Sequence, residues 1–186
     1  MGDSGVGKTT LSFYFDDSFD DSFDKKPTVG VNFICTPYVS PDNKQYNVQI
    51  WDTAGQELYA SMIPNYARDA ECILIVYDIT NQKSFDNITN WLKQIYHAKT
   101  YCTIAIFGNK TDLEEERCVS RQTASNFVKS LGLTYFEGSA LTKIGISEVF
   151  DFINIAATIS GFSHNFSKNF AINDFNLPLL SIFVNS

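Results

Sequence analysis

The stretch MGDSGVGKTTL, residues 1–11, decides the fold. Gly2, Gly7, Lys8 and Thr9 fit the pattern G-x-x-x-x-G-K-[ST], in which backbone N–H groups surround phosphate oxygens at the start of a helix. Lys8 is expected to reach the β- and γ-phosphates, and the Thr9 hydroxyl to bind the bridging magnesium ion. A chance glycine-serine turn is the alternative. The predicted nucleotide-binding residues of this segment, called the Lys8 loop, are Gly2, Asp3, Ser4, Gly5, Val6, Gly7, Lys8, Thr9 and Thr10.

Length and composition favour one globular domain in the cytosol. The 186 residues are 44% hydrophobic, which is enough for one good core. A net charge of -7 argues against nucleic acid or an acidic membrane surface as the main partner. No run reaches the about 18 apolar residues of a membrane span. Buried reduced thiols are expected, rather than disulfides or a zinc site, for Cys35, Cys72, Cys102 and Cys118.

Short apolar runs predict the strands of the fold. Cys72–Tyr77 and Cys102–Phe107 are continuously apolar, which is typical of parallel strands covered on both faces. Val31–Ser40 and Tyr46–Trp51 flank the turn-rich PDNK and predict an antiparallel hairpin at one edge of the sheet. Tyr135 and Phe136 are expected in the last strand of the series.

Helical periods fill the segments between these strands. Ser84 is expected to cap the first helix, and Gly132 to end the second. Strands that alternate with helices predict an α/β fold, a three-layer α/β/α arrangement around a mostly parallel sheet with one antiparallel edge strand. The three apolar stripes are Phe85, Ile88, Leu92 and Ile95; Ala124, Phe127, Val128 and Leu131; and Ile146, Val149, Phe150, Ile153 and Ala157.

Three further loops follow predicted strands, where ligands of α/β sheets bind. In Asp52-Thr53-Ala54-Gly55-Gln56, the Asp52 carboxylate is expected to hold magnesium, and the Gly55 N–H to meet the γ-phosphate. Asn109-Lys110-Thr111-Asp112 offers a carboxylate that can accept two hydrogen bonds from guanine, a pattern that adenine does not present. The backbone N–H groups of Ser139 and Ala140 are expected to contact the guanine oxygen.

These motifs resemble the Ras superfamily of small GTPases, and within it the Rab proteins. GDSGVGKT, WDTAGQE, GNKTD and EGSA carry the superfamily match, VYDIT and SFDNITNW indicate Rab, and the resemblance covers roughly residues 2 to 159. It implies a P-loop fold and a switch that binds GTP or GDP with Mg²⁺, hydrolyses GTP slowly without a partner protein, and regulates vesicle traffic. A Rab-like binding module or truncated product without the GTPase cycle is the alternative, and NKTD opposes an adenine-specific P-loop enzyme.

The resemblance also assigns roles to residues in the two switch regions. Thr28, in PTVGVNF, matches the threonine that binds magnesium and senses the γ-phosphate, and Gln56 matches the glutamine that orients the attacking water, so that Gln56, Lys8 and Thr28 are the expected catalytic residues. Lys110 is expected along the base, and Phe19 edge-on against it. Effectors, an exchange factor and a GTPase-activating protein are the expected partners, through the switches and an aromatic triad that could instead be plain core: Phe33, Trp51 and Tyr66.

Several features depart from the Rab pattern. DDSFDDSF, residues 16–23, lengthens switch I and adds carboxylates near a phosphate site. The chain is expected to divide into a GTPase domain, residues 1–159, and an atypical tail, residues 160–186. Rab proteins are prenylated on C-terminal cysteines, and the tail contains none, so stable membrane anchoring is not expected. A cytoplasmic location is predicted, with endomembranes as the other expected site.

In such folds a strand precedes the phosphate loop. In the sequence given, one methionine stands before Gly2, so this strand has no counterpart there. One explanation is a start that lies upstream of Met1. The other is that the chain supplies a substitute, since Leu179-Leu180-Ser181-Ile182-Phe183-Val184 is an apolar run of strand length. In that hypothesis residues 179–184 insert in parallel between the Tyr46–Trp51 and Cys72–Tyr77 strands.

Overall fold

A computed structural model describes residues 1–15, 31–39, 43, 45–53, 67–68, 70–98, 102–156 and 179–185. Its strands are β1 (Val31–Val39), β2 (Gln45–Thr53), β3 (Cys72–Asp78), β4 (Thr103–Asn109), β5 (Thr134–Glu137) and β6 (Leu179–Asn185). Within these residues they form one six-stranded sheet in the order β1-β2-β6-β3-β4-β5. Of these six described strands, β1 alone runs antiparallel to the others, and it lies at the edge. The predicted sheet, mostly parallel with an antiparallel edge strand, is confirmed.

The C-terminal strand β6 lies in the middle of the sheet. It pairs in parallel with β2 from Asn47↔Leu179 to Thr53↔Asn185, and with β3 from Cys72↔Ile182 to Leu74↔Val184. This pairing agrees with the second of the two explanations above, the hypothesis that residues 179–184 insert in parallel between these two strands. The boundary predicted after residue 159 stays a prediction, because residues 157–178 lie outside the described residues.

The helices are α1 (Lys8–Ser12), α2 (Gln82–Asp86), α3 (Ile88–His97), α4 (Arg121–Ser130) and α5 over residues 146–156. Short 3-10 helices cover Phe13–Phe15 and Thr111–Glu116. Among the described residues, no helix is long and apolar enough to cross a membrane.

Hydrogen bonds define the start of helix α2 and the end of helix α4. The prediction that Ser84 caps the first helix is wrong, because the Asn81 side chain accepts the Ser84 N–H at 3.4 Å and is the cap of α2. Ser84 lies inside the helix, and its Oγ donates to the Asn81 carbonyl oxygen at 2.8 Å. Gly132 does follow the end of α4, with a positive φ of 70°, and its N–H donates to the Lys129 oxygen at 3.0 Å.

The core lies in two layers, one on each face of the sheet. Successive residues of β3 alternate between them, so that Leu74 packs with α1 and α5 while Ile73 and Ile75 pack with α3 and α4. All of β3 is buried, as expected for a parallel strand covered on both faces. The predicted three-layer arrangement is confirmed.

The cysteines are free, as predicted, but the prediction that they are buried holds for only one of them. Cys72 is buried in β3, Cys102 is half-buried, and Cys35 and Cys118 are exposed. Cys35 lies on the edge strand β1, where alternate side chains face solvent, and this explains why an apolar run alone misled the prediction for it.

Alanine at Gly2 should be far more destabilising than alanine at Gly5. Both residues have a positive φ, 140° and 79°, but a Cβ on Gly2 would lie 2.0 Å from the Val76 carbonyl oxygen, whereas a Cβ on Gly5 would meet nothing within 4 Å. Gly2→Ala should lower the free energy of unfolding by about 3 kcal/mol or more, and Gly5→Ala by about 1–2 kcal/mol. Urea unfolding followed by circular dichroism measures both; equal losses would contradict the packing of Gly2 against β3.

Candidate functional site

The Lys8 loop lies at the carboxyl ends of β3 and β4. The Val6 carbonyl oxygen accepts a hydrogen bond from Asn109 Nδ2, at the end of β4, at 2.7 Å. Gly7 has a φ of 92°, and a Cβ there would lie 2.3 Å from the same Asn109 nitrogen. The loop then enters α1, with the Leu11 N–H donating to the Gly7 oxygen at 3.0 Å. A residue with a side chain at position 7 would push the loop away from β4.

Lys8 is a buried cation inside this loop. Its side chain is only 2% exposed, and its Nζ donates to the carbonyl oxygen of Asp3. Burial lowers the pKa of the Lys8 ammonium to about 7, although the charges of Asp52 and Asp3 oppose the shift. A buried ammonium with a lowered pKa is poorly solvated, so a polyanion placed beside it would be bound strongly. This environment fits the predicted role of Lys8 toward phosphates.

Asp3 ties the loop to α3. Its Oδ1 accepts hydrogen bonds from Trp91 Nε1 at 2.9 Å and from Asn87 Nδ2 at 2.8 Å. These bonds fix the first turn of the loop from the side. The motif at residues 2–9 predicts Asp3 only as a nucleotide contact, although Asn87 and Trp91 both belong to SFDNITNW, the segment that indicates Rab.

Asp52 is the predicted magnesium ligand on the other side of the loop. It lies near the end of β2, with a side chain that is 0% exposed, and its negative charge acts on Lys8. Among the described residues, no three His, Cys, Asp or Glu side chains are grouped to hold a metal ion by themselves. This donor set fits magnesium, which commonly takes one or two protein ligands together with phosphate oxygens and water. Thr9, in the first turn of α1, is the other described ligand candidate.

Asn109 joins three loops with a single side chain. While its Nδ2 donates to the Val6 oxygen, its Oδ1 accepts the Ala140 N–H at 2.8 Å. The Lys8 loop, the loop after β4 and the loop after β5 are thereby held together. Asn109 is only 2% exposed, and its motif in the sequence predicts a nucleotide contact but not this bridging role.

The predicted base-reading residues lie together after β4 and β5. Asp112 is exposed, and its Oδ1 accepts a hydrogen bond from Ser139 Oγ at 2.5 Å. The Ser139 N–H donates to the Ile144 oxygen at 2.9 Å, and the Ala140 N–H is used by Asn109. Both N–H groups that were predicted to contact guanine thus already have acceptors within the chain, and that contact stays a prediction.

Lys110 has a specific electrostatic partner. Its Nζ lies 2.6 Å from Asp78 Oδ2, at the end of β3, and its backbone has a positive φ of 71°. The same carboxylate accepts the Thr80 N–H at 2.9 Å through its other oxygen. The positive charge of Lys110 also lowers the pKa of Lys8 further.

A second group of polar side chains connects the loop after β4 to the end of β5. Arg117 donates to both carboxylate oxygens of Glu137, at 3.0 and 3.1 Å, and to both of Glu114, at 2.8 Å. Tyr135 Oη donates to Glu137 and lies 2.7 Å from Tyr77 Oη. Burial raises the pKa of both tyrosine hydroxyls. Because Glu114 belongs to the 3-10 helix that carries Asp112, Arg117 joins this helix to the end of β5.

The remaining predicted residues divide into two groups. Phe33 is 46% exposed on β1, and its ring centroid lies 4.8 Å from that of Trp51 on β2. This exposure argues against a plain core role for Phe33, while Trp51 also packs against the layer that contains α3 and α4. The predicted residues outside the described part of the chain are Phe19, Thr28, Gly55, Gln56 and Tyr66.

The family model and the relatives that match this chain are all of the Ras family. A model of the Ras family matches residues 1–159. The chain is 41% identical over 152 residues to Ras-related protein Rab-8B of Bos taurus, covering 81% of this chain and 72% of that protein. It is 44% identical over 151 residues to GTP-binding protein ypt3 of Schizosaccharomyces pombe, covering 81% of this chain and 70% of that protein. Ras-related protein Rab-8 of Diplobatis ommata is 43% identical over 152 residues.

Arg117 should matter much more to stability than its neighbour Arg121. Arg117 faces a Glu137 side chain that is 5% exposed, whereas Arg121 is 78% exposed and lies 3.7 Å from the same carboxylate. Arg117→Ala leaves a buried carboxylate without its main partner and should cost about 2–3 kcal/mol of unfolding free energy. Arg121→Ala should cost less than about 0.5 kcal/mol. Chemical unfolding of the two variants measures the difference, and indistinguishable midpoints would contradict the supporting role of Arg117.

Proposed function

Since this chain belongs to the Ras family, as a Rab-type small GTPase, we propose that it acts as a guanine-nucleotide switch in vesicle traffic through the residues described above. The observation that carries the proposal is the Asn109 side chain, which links the Lys8 loop to the Ser139-Ala140 loop. A nucleotide needs a phosphate site and a base site at a fixed separation. Asn109 supports that separation with two hydrogen bonds from one buried side chain.

The phosphates are bound by the Lys8 loop. Ser4 and Gly5 are exposed at its tip, so their backbone can approach a ligand, and Lys8 supplies the positive charge below them. Thr9, Thr28 and Asp52 hold the Mg²⁺, which when bound neutralises charge on the β- and γ-phosphates. Gln56 orients the water that attacks in line at the γ-phosphorus. Thr28 senses the γ-phosphate, so hydrolysis releases switch I.

The base is recognised by the Asp112 carboxylate, which accepts the N1 proton and the exocyclic amino group of guanine. The hydrogen bond from Ser139 Oγ orients this carboxylate from the loop after β5. Lys110 lies along the base while its ammonium is held by Asp78, and Phe19 packs against the edge of the base. Ser139 and Ala140 contact the guanine oxygen through N–H groups that are shared with their present acceptors.

Partner proteins act on the switch surface. The exposed Phe33, packed on Trp51, provides an apolar contact that effectors can bury together with Tyr66 and the two switches. An exchange factor opens the nucleotide site, and a GTPase-activating protein supplies an arginine in trans, since the motifs of this chain provide no recognisable one in cis. The protein works in the cytoplasm and at endomembranes.

Asp112→Asn should exchange the base preference of the site. The amide can still accept the Ser139 Oγ hydrogen bond, but it presents an N–H where guanine also presents donors. GTP affinity should fall by at least about 100-fold, or about 2.7 kcal/mol, while xanthosine triphosphate, which presents a carbonyl acceptor in place of the exocyclic amino donor, should bind better. Competition against a fluorescent GDP analogue measures both. Unchanged GTP affinity would place the base elsewhere.

Nucleotide binding should weaken as the pH rises above 7. The pKa of Lys8 is about 7 in the empty site, and phosphates should raise it, so binding takes up a proton between pH 7 and the higher pKa of the complex. The dissociation constant of GDP with Mg²⁺ should increase up to about tenfold per pH unit from pH 7 to 8.5. Calorimetry in buffers of different ionisation enthalpy counts the proton. Lys8→Met is the control and should show weak binding without this proton uptake; equal uptake in both proteins would assign it to another group.

A further inference from the structure

On the side of β3 that faces β2, two segments from opposite ends of the sequence make the backbone hydrogen bonds. β6 pairs with Cys72–Leu74. Beyond it, the Met1 nitrogen donates to the Leu74 oxygen, and the Met1 oxygen accepts the Val76 N–H at 2.6 Å. These two bonds flank Ile75 in the pattern of a parallel pair. Met1 thus lies opposite Ile75, the position next to the last β3 pair of β6, Leu74↔Val184, while Asn185 of β6 pairs with Thr53 on the β2 side.

The two halves of the phosphate and magnesium site lie on opposite sides of β6. Asp52, on β2, pairs in register with Val184. The Lys8 loop begins on the other side, where Gly2 is packed directly against the Val76 carbonyl group of β3. Helix α1, which starts at Lys8, lies next to both β6 and β2. The strand in the slot between β2 and β3 therefore sets the separation between Lys8 and Asp52.

We propose that residues 179–185 act as an internal donor strand whose docking between β2 and β3 is coupled to nucleotide binding. The slot accepts an extended segment that runs parallel to both neighbours, and β6 is the described segment that fills it. A nucleotide with magnesium contacts Lys8 on one side and Asp52 on the other, so it binds best when β6 is docked. By linkage, bound nucleotide favours docking by the same factor. The inference rests on the proposed function for the identity of this ligand.

Amide hydrogen exchange of the full chain, with and without GDP and Mg²⁺, tests the coupling. Amides 180–185 should be protected in the nucleotide-free chain, and saturating GDP should slow their exchange at least tenfold. Rapid exchange of these amides without nucleotide would overturn the donor strand. Protection that appears only in the Lys8 loop would overturn the coupling and leave the proposed function standing. If GDP protects neither region, the proposed function and the coupling both fail.

Two substitutions of Ile182 distinguish the effect of losing a backbone hydrogen bond of β6 from the effect of changing its side chain. Ile182→Pro removes an N–H from a strand that is paired on both sides, whereas Ile182→Val keeps the N–H and a β-branched side chain. GDP should dissociate at least tenfold faster from the proline variant and within about twofold of the unmodified rate from the valine variant. Equal dissociation from both variants would overturn the proposal. If the proline variant does not fold, the exchange measurement on the unmodified chain decides.

Discussion

The rest of the structure depends on the hydrogen bonding of the two backbone edges that face the slot between β2 and β3. Seven register pairs join β6 to β2 and three join it to β3, and Met1 continues the β3 edge beyond Leu74. A buried backbone group without a partner costs about 1–3 kcal/mol, and a whole domain is stable by only about 5–15 kcal/mol. A few unpaired groups would therefore use up the stability of the domain. An extended segment that is long enough to hydrogen-bond with the edges of both β2 and β3 therefore stabilises the whole sheet.

Filling this slot positions the Lys8 loop, and Asn109 connects that loop to the Ser139-Ala140 loop after β5. The Lys8 loop is held by Gly2 against β3, by Asp3 on α3, and by Val6 on Asn109. Asn109 also fixes Ala140, while Arg117 fixes the 3-10 helix of Asp112 to β5. Each contact joins segments that are distant in sequence, so a change at one loop is transmitted to the others through buried side chains with few alternative positions.

Local patterns predicted much of this fold, because the local patterns and the tertiary packing agree. Continuous apolar runs predicted the buried strands, and the run at residues 179–184 indicated a further strand whose central insertion was one of two hypotheses. Patterns failed where the outcome depends on contacts that the local sequence does not encode. Asn81 and Ser84 are both residue types that favour the N-cap position, and the structure places the cap at Asn81. Cys35 lies in an apolar run, but its exposure depends on which face of an edge strand it takes. The pairing of Arg117 with Glu137 spans two loops and has no sequence signature.

The electrostatics of the empty site favour an anionic ligand beside Lys8. Burial lowers the pKa of Lys8 from 10.5 in the unfolded chain to about 7, so folding releases a proton between these two values. Since the unfolded state binds more protons there, the penalty is complete below about pH 7 and declines as the pH rises toward 10.5. Asp52 offsets part of it, and Lys110 adds to it. In the proposed function, a phosphate chain beside Lys8 would supply a counter-charge, so the buried ammonium that destabilises the empty protein would contribute to the affinity for the nucleotide.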